Sequence, residues 1–260
     1  VVLRTFDLGG DKFASSFRLP AEMNPALGLR AVRLALSQPE VFKTQLRAMV
    51  RASVHGNLRI MIPMVASLRE LREARRLLAE ATAEVAARGQ AYEAEIPLGV
   101  MIEVPSAAVL ADLFAREAAF FSLGTNDLIQ YALAVDRTNR SLAPLASPFH
   151  PAIVRLIAQV ARAGAERRIP VSVCGAMASD PLAAALLVGL GLRELSMEAA
   201  AIPEIKEALR RITLKECEDA AAAALEADGA DGIEEVLAKS FAPRLYDLLA
   251  ADVEGAGSLL

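Results

Sequence analysis

The chain has 260 residues, of which 54% are apolar, and a formal net charge of −4. This length fits one large barrel or two small domains, and the apolar content is sufficient for a sizeable core. The slightly acidic balance argues against a nucleic-acid-binding protein, which usually carries a strongly basic face. No apolar run reaches the ~18 residues of a membrane span, and no signal-peptide pattern is present. The two cysteines, Cys174 and Cys217, indicate a reducing compartment such as the cytoplasm and not a disulfide framework.

The first half of the chain alternates predicted strands and helices. Its strands are apolar runs, and its helices carry apolar residues at the spacing of one buried face. The helix that carries Arg30 is bounded by an Asn-Pro start and by Pro39, which stops it. The predicted strands are residues 1–4, 58–65 and 98–105, and the predicted helices begin at Asn24, near Phe42, at Ser67 and at Ser106.

The second half continues this alternation up to about residue 212. A short apolar strand stops at Gly124 and is followed by polar residues before a helix begins at Leu128. Asp180 is the predicted N-cap of a later helix, with proline at its first position. The remaining predicted strands are residues 120–124, 170–175 and 194–197, and further helices begin at Ala152 and near Ile202.

The chain is predicted to form one main domain with a helical extension. Residues 1–213 contain all the strands, residues 214–251 contain only helix, and residues 252–260 form a flexible tail. Because residue 1 already lies inside an apolar strand, we expect the chain to be a piece of a longer protein.

Near-continuously apolar strands that alternate with helices indicate a parallel sheet with helices packed on it. Six strands are predicted. Polar side chains recur at or just past their ends, namely Arg4, Glu103, Asn126 with Asp127, and Cys174. A closed barrel gathers such residues at one mouth, whereas an open sheet places fewer of them side by side. The pattern therefore favours a barrel.

Glu103 and Asp127 are candidate metal ligands. A carboxylate in a run as apolar as that before Glu103 is costly unless it is paired or bound to a metal. Two carboxylates at neighbouring strand ends can share Mg²⁺, which takes its other ligands from water and substrate oxygens. The alternative for Asn126 and Asp127 is that they only cap a helix.

Arginines and a thiol complete the candidate site. Arg4, Arg30 and Arg137 are planar forks suited to phosphate or carboxylate, although Arg30 and Arg137 taken alone are better explained as surface residues. Cys174 precedes a glycine at a strand end, and a thiol there can act as a general acid or base; taken alone it is more often an inert core residue. The second cysteine, Cys217, lies in a helical run and is interpreted as structural, as are His55 and His150.

Four motifs resemble Enzyme I of the bacterial sugar phosphotransferase system, the family of phosphoenolpyruvate–protein phosphotransferases. The Gly-Gly-Asp-Lys loop within the first of them is particular to this family among its relatives. The resemblance runs in order to about Ile212. The motifs are Arg-Thr-Phe-Asp-Leu-Gly-Gly-Asp-Lys at 4–12, Asn-Pro-Ala-Leu-Gly at 24–28, Gly-Thr-Asn-Asp-Leu at 124–128 and Val-Cys-Gly at 173–175.

The resemblance implies a (β/α)8 TIM-type barrel of the phosphoenolpyruvate/pyruvate group. Since six strands are predicted, we expect this chain to lack the first two. The resemblance also implies a homodimer and a cytoplasmic enzyme that transfers phosphate from phosphoenolpyruvate to a histidine on a separate domain, and from there to a small phosphocarrier protein. Pyruvate is the product, and no nucleic acid or membrane span is involved.

Site roles follow position by position from the same resemblance. Substrate-binding residues are implied at Arg4, Lys12, Arg30, Asn126, Asp127 and Arg137. Glu103 and Asp127 are the implied Mg²⁺ ligands, and Cys174 is the implied proton donor to the enolate of pyruvate. One position departs from the family, which usually has glutamate two residues after the cysteine where this chain has Ala176.

Three alternatives to this function remain. The first is the C-terminal domain of a pyruvate phosphate dikinase or phosphoenolpyruvate synthase, and the second is a lyase of the wider pyruvate-enolate barrel group. The third is a dimerisation or regulatory module without catalysis, which Ala176 would permit. The loop that contains Lys12 favours the Enzyme I family over the first, and the full set of polar strand-end residues argues against the third.

Overall fold

The computed structural model describes residues 1–8 and 22–255, with side chains described up to residue 245. The chain divides into two compact units, Val1–Phe121 and Ser122–Leu260. Strands and helices alternate in both units, so the predicted α/β class is confirmed. In the described part of the chain, no helix is both long and apolar enough to cross a membrane.

The first unit contains three strands and the helices between them. Its core is formed by apolar faces of the second and third helices, where Phe42 and Leu46 are fully buried as their spacing predicts. The third helix begins with a capping box between Ser67 and Glu70, which satisfies backbone N–H groups at the helix start. The elements are β1 (Val2–Arg4), α1 (Ala31–Ser37), α2 (Pro39–Ala52), β2 (Arg59–Ile62), α3 (Leu68–Ala87), β3 (Leu98–Ile102), α4 (Pro105–Val109) and α5 (Ala111–Phe114), with single 3-10 turns at Pro25–Leu27 and Ser53–His55.

Two helices predicted as continuous in this unit are interrupted. The segment that starts at Pro25 makes only a 3-10 turn, and Arg30 is extended, with φ −137° and ψ 166°, before α1 begins. The predicted helix at residues 106–117 is split between α4 and α5 at Leu110, where φ is −96° and ψ is 19°. Short-range spacing does not distinguish a continuous helix from two short ones that turn to follow the core.

The second unit begins within the fourth strand and ends in three helices. Asp180 caps α8 as predicted, accepting a hydrogen bond from Ala183 N at 2.6 Å, and Pro181 is the first helical residue. The elements are β4 (Phe121–Gly124), α6 (Thr125–Ala132), α7 (Pro151–Arg167), β5 (Val171–Cys174), α8 (Pro181–Gly189), β6 (Glu194–Ser196), α9 (Ile202–Arg210), α10 (Leu214–Glu226) and α11 (Ala230–Gly255), with 3-10 turns at Arg140–Leu145 and Ala176–Ser179.

The six predicted strands are all present and lie in one sheet in the order β1-β2-β3-β4-β5-β6. The described registers of β1 with β2, of β2 with β3 and of β5 with β6 are parallel. Their carboxyl ends, where the polar residues of the sequence cluster, therefore point the same way within each of these pairs. The last helix, α11, runs to Gly255 and so includes the first four residues of the predicted tail, whereas residues 256–260 lie outside the described residues.

Helix α8 packs closely on α10 because Gly189 has no side chain. A Cβ atom at Gly189 would lie 2.0 Å from the backbone oxygen of Cys217 and 2.8 Å from the Cβ of Ala221. Cys217 itself is 1% exposed, which supports its structural interpretation. Burial is the main cause that raises the pKa of the Cys217 thiol above its usual value.

Replacing Gly189 with alanine is therefore expected to destabilise the protein. The clash is with backbone, which moves only if a helix shifts, so the free energy of unfolding should fall by about 1–3 kcal/mol. Denaturant unfolding measures this change. Gly232→Ala is the control, because a Cβ there meets only Ala227 at 3.5 Å and alanine favours helix. Equal stability of the two variants would show that α8 and α10 do not pack this closely.

Candidate active site

Asp7 contacts two of the arginines that are candidates for substrate binding. Arg30 donates to both carboxylate oxygens of Asp7, from Nε to Oδ1 at 3.2 Å and from Nη2 to Oδ2 at 2.7 Å. Arg4 approaches the same carboxylate, with Nη1 3.8 Å from Oδ2. The side chains of Arg30 and Asp7 are 8% and 6% exposed, whereas that of Arg4 is 44% exposed. The structure thus brings Arg4 and Arg30 together just past the end of β1.

The interpretation of Arg30 as a surface residue is wrong. Its extended backbone directs the chain away from the predicted helix, and the following residue, Ala31, has a left-handed backbone with φ 49° and donates from N to Leu8 O at 2.9 Å. This contact fixes Arg30 against the segment that follows β1. A guanidinium buried in this way needs a carboxylate partner, and Asp7 supplies it.

Glu103 is the buried carboxylate that its apolar neighbours predict. It follows β3 directly, is 2% exposed, and accepts a hydrogen bond at Oε1 from Met64 N at 2.6 Å. Met64 follows β2 and has φ 58°, a left-handed conformation that is uncommon for a residue other than glycine. The backbone after β2 is therefore shaped to present its N–H to the carboxylate at the end of β3.

In the second unit, Asp127 and Arg137 lie together. Helix α6 begins at Thr125, three residues before its predicted start, so Asp127 lies in its first turn and is 8% exposed. Arg137 Nη1 is 3.7 Å from Asp127 Oδ1, and Arg137 N donates to Gln130 Oε1 at 3.3 Å. A negative charge is favoured at a helix N-terminus, and the arginine adds to this stabilisation.

The loop that carries Arg137 is held by the residue before it. Asp136 accepts hydrogen bonds from the side chain and the backbone N–H of Thr138, at 2.7 and 2.8 Å. These bonds, the side-chain bond first, hold the pKa of Asp136 below its usual value. Asp136 therefore stays ionised at neutral pH and fixes the turn on which Arg137 is placed.

Cys174 is the last residue of β5 and contacts the end of β4. Its Sγ donates to Leu123 O at 3.4 Å, and Ser122 Oγ donates to Sγ at 3.6 Å. Ser122 is 5% exposed. The sequence did not single it out, because a lone serine within an apolar strand has no distinguishing pattern.

The turn after Cys174 brings the end of β5 against the start of α6. Ala176 N donates to Asn126 Oδ1 at 3.1 Å, and Thr125 Oγ1 donates to Cys174 O at 3.1 Å. Gly175 has φ 107°, and a Cβ there would lie 2.5 Å from Thr125 Oγ1 and 3.0 Å from Asn126 Oδ1. Glycine is required here for both its backbone conformation and its size.

Asn126 and Cys174 line a common cavity of about 660 Å³ in the second unit. Ala176, Asp180 and Glu198 belong to the same lining. Cys174 is partly exposed there, in contrast to the buried Cys217. Cys174 is therefore not a fully buried core residue, because it is partly exposed and lines this cavity.

The other sequence predictions have simpler outcomes. Lys12, with its loop, lies outside the described residues. His150 is the N-cap of α7, where its Nδ1 accepts from Ala152 N at 3.1 Å, and His55 is exposed. Asp7 was missed, although it stands three residues after Arg4 and the rule of polar residues at strand ends could have identified it.

Glu103 and Asp127 fit the requirements of a magnesium ligand. Each supplies carboxylate oxygens, the ligands that Mg²⁺ prefers, and each is almost completely removed from solvent just past a strand. Among the described residues, no group of three or more His, Cys, Asp or Glu side chains could hold a metal ion.

Comparison with known proteins identifies the family. The family model described as "PEP-utilising enzyme, PEP-binding domain" matches residues 1–214. The chain therefore belongs to the phosphoenolpyruvate-binding domains of the phosphoenolpyruvate-utilising enzymes, as the resemblance of its motifs implied.

Curated relatives share a more specific name. A phosphoenolpyruvate-protein phosphotransferase of Listeria monocytogenes is 47% identical over 92% of this chain and 42% of its own length. Proteins of the same name from Bacillus subtilis and Staphylococcus carnosus are 48% and 49% identical, each over 84% of this chain and 38% of its own length. The chain thus spans about two fifths of the length of these relatives.

A solved structure gives a weaker likeness. A citrate lyase from Burkholderia xenovorans LB400 aligns with 77% of this chain and 68% of its own, at 18% identity and a TM-score of 0.49. A likeness at this level supports no conclusion about this chain.

Replacing Asp7 with alanine is expected to destabilise the first unit strongly. The change leaves Arg30 buried without the carboxylate that compensates its charge, and removing one member of a buried pair costs about 3–5 kcal/mol. The free energy of unfolding from a denaturant titration measures the loss. The control is Asp112→Ala, whose partner Arg116 is 3.6 Å away with both side chains more than half exposed, so a loss of at most about 1 kcal/mol is expected. Similar losses in both variants would contradict the role of Asp7.

Proposed function

We propose that this chain is the phosphoenolpyruvate-binding part of a phosphoenolpyruvate–protein phosphotransferase. In this reaction the phosphoryl group of phosphoenolpyruvate passes to a histidine on a separate domain, and pyruvate is released. A small phosphocarrier protein then receives the phosphoryl group from that histidine. The names of the relatives and the family of the chain support this proposal.

The observation that carries the proposal is the placement of Cys174 beside Asn126 on one cavity. A thiol next to an amide and a helix N-terminus suits an acidic substrate that must be protonated after it loses its phosphoryl group. The nearby ion pair of Asp127 and Arg137 adds a guanidinium to the same unit. A dimerisation or regulatory module without catalysis would not need these residues.

The phosphate of the substrate is assigned to arginines. Arg4 and Arg137 have side chains that are 44% exposed, so each can reach an anion. Arg30 is buried on Asp7 and would contribute its charge from behind Arg4. Guanidinium groups bind phosphate through paired, charge-assisted hydrogen bonds, which both hold and orient it. Lys12 is assigned to the same group of substrate contacts from its motif position.

Glu103 and Asp127 are assigned to Mg²⁺. The cation would supply charge neutralisation for the phosphate and carboxylate oxygens of the substrate. Asn126, with its amide at the cavity, would hold the substrate in place for transfer.

Cys174 completes the reaction as a general acid. Departure of the phosphoryl group leaves the enolate of pyruvate, whose methylene carbon accepts a proton from Sγ. The S–H bond breaks, a C–H bond forms, and a thiolate remains to be reprotonated from solvent. The accessible position of Cys174 is consistent with this exchange.

The assembly is proposed on the same basis. The sheet, with six strands in sequence order, would be part of a (β/α)8 barrel that gathers the strand ends at one mouth. The protein would act as a homodimer in the cytoplasm, where its two free cysteines remain reduced.

The proposed function predicts that Cys174→Ala retains phosphoenolpyruvate binding but loses proton exchange at pyruvate. In the full-length protein, calorimetry should give an affinity within about threefold of the wild type. Exchange of pyruvate methyl protons with deuterated solvent, followed by NMR, should slow by at least about 100-fold, the contribution expected of a general acid.

Cys217→Ala is the matched control, since this second thiol is buried away from the cavity and exchange should be retained. Normal exchange in Cys174→Ala would show that another group handles the proton. An equal loss of binding and exchange would show that Cys174 shapes the pocket and does not transfer a proton.

A further inference from the structure

The loop between β2 and α3, residues 63–67, contacts the segment that follows β3. We call it the β2 loop. The two strands pair in parallel up to Ile62 with Val100. The next residue, Pro63, has no backbone N–H with which to continue the ladder of hydrogen bonds. Beyond this point, side chains that follow β3 bind the backbone of the loop instead.

Two hydrogen bonds join the β2 loop to the segment after β3. Glu103 Oε1 accepts from Met64 N at 2.6 Å. Ser106 Oγ donates to Ala66 O at 3.0 Å. Because the two bonds join the same two segments at different points, the second bond limits rotation of the loop about the first.

The far end of the β2 loop is anchored at the start of α3. Glu70 Oε2 accepts from Ala66 N at 2.7 Å and from Ser67 N at 2.9 Å, so the capping box of α3 also binds a residue of the loop that precedes the cap. Met64 lies between the end of β2 and this anchor. Its left-handed backbone, with φ 58°, directs its N–H at Glu103.

This conformation is unfavourable for methionine. Residues other than glycine rarely adopt a positive φ, and they do so where the surrounding structure determines it. The surroundings of Met64 supply that determination, because the residue is only 2% exposed and the loop is attached at both ends. The chain thus holds a strained backbone at the point where the N–H meets a buried carboxylate.

From these contacts we propose that Met64 and Ser106 are positioning residues for Glu103. The Met64 N–H fixes one carboxylate oxygen of Glu103, and Ser106 keeps the β2 loop where that N–H reaches it. The carboxylate is then oriented before a divalent cation arrives, so less ordering is required on binding. Both residues act on the cation only through Glu103, and this inference rests on the proposed function, which assigns Glu103 to Mg²⁺.

Two variants of Met64 separate the backbone role from side-chain packing. Glycine adopts a left-handed φ without strain, whereas the β-branched side chain of valine opposes it. In the full-length protein with phosphoenolpyruvate, Mn²⁺ titrations followed by electron paramagnetic resonance should give Met64→Gly an affinity within about threefold of the wild type. Met64→Val should bind Mn²⁺ at least about fivefold more weakly, the equivalent of the strain of one left-handed residue. A packing role predicts the opposite order, because glycine removes more of the buried side chain.

Ser106→Ala tests the second attachment without changing the buried interior, since Ser106 is exposed. In the cation-free protein, hydrogen exchange of the β2 loop, measured by mass spectrometry, should become faster. Mn²⁺ affinity should fall roughly two- to tenfold, the range expected for one neutral hydrogen bond. Ser106→Thr keeps the hydroxyl and should retain both properties. Ser37→Ala is the matched control, because this exposed serine also donates to a backbone carbonyl, that of Leu34 at 2.8 Å, within its own helix.

Three results would overturn the inference. They are an Mn²⁺ affinity of Met64→Val equal to or higher than that of Met64→Gly, identical behaviour of Ser106→Ala and Ser37→Ala, and a failure of Ser106→Thr to retain the wild-type properties. Glu103→Gln separates the inference from the proposed function. If Glu103→Gln weakens Mn²⁺ binding and the positioning variants do not, only this inference fails. If Glu103→Gln binds Mn²⁺ as the wild type does, the proposed cation role of Glu103 fails first, and this inference fails with it.

Discussion

The burial of charged side chains near the ends of the strands is the constraint on which the candidate site depends. Glu103 is 2% exposed, Arg30 is 6% exposed and Asp127 is 8% exposed. Charges removed from water must find compensation within the protein, since an uncompensated buried charge costs several kcal/mol (roughly 3–5). Arg30 therefore has Asp7, Glu103 has the backbone N–H of Met64 after the preceding strand β2, and Asp127 has Arg137 nearby.

This constraint also explains the unusual backbone around the site. Met64 and Ala31 have left-handed conformations, with φ 58° and 49°. Met64 presents its N–H to Glu103, and Ala31 holds the segment after Arg30 against the loop that follows β1. Such conformations cost of order 1–3 kcal/mol each and persist where the surroundings determine them. Here the determinants are the hydrogen bonds from Met64 N to Glu103 and from Ala31 N to Leu8 O.

Much of the fold follows from local patterns. All six strands were predicted because each is a short apolar run bounded by polar or turn residues, and parallel strands need no alternation. The caps at Ser67 and Asp180 follow from local chemistry alone. The break before Arg30 does not, because its cause is an ion pair with Asp7, a residue 23 positions earlier in the chain. The early start of α6 was missed because Thr125 and Asn126 equally resemble a cap.

The sequence predicted which residues belong to the candidate site, but it did not predict which partners they contact. Polar side chains at strand ends made Arg4, Glu103, Asp127 and Cys174 candidates, since a sheet of parallel strands brings such ends to one side. The partners that hold them are single residues on other strands, such as Ser122 beside Cys174, and their positions depend on register. The register that pairs Cys174 with Ser196 is another such relation between strands. Sequence spacing contains no information about that pairing.

The central proposal, which the resemblance to the Enzyme I family implies, is that Glu103 and Asp127 bind one divalent cation together with phosphoenolpyruvate. The most direct measurement is a crystal structure of the full-length protein with phosphoenolpyruvate and Mn²⁺, which replaces Mg²⁺ and gives an anomalous signal. We expect one anomalous peak within roughly 2.0–2.3 Å of a carboxylate oxygen of both residues, near the distances of hard cation–oxygen ligation, with substrate oxygens completing its shell. A metal peak elsewhere, or one bound to only one of the two carboxylates, would contradict the account.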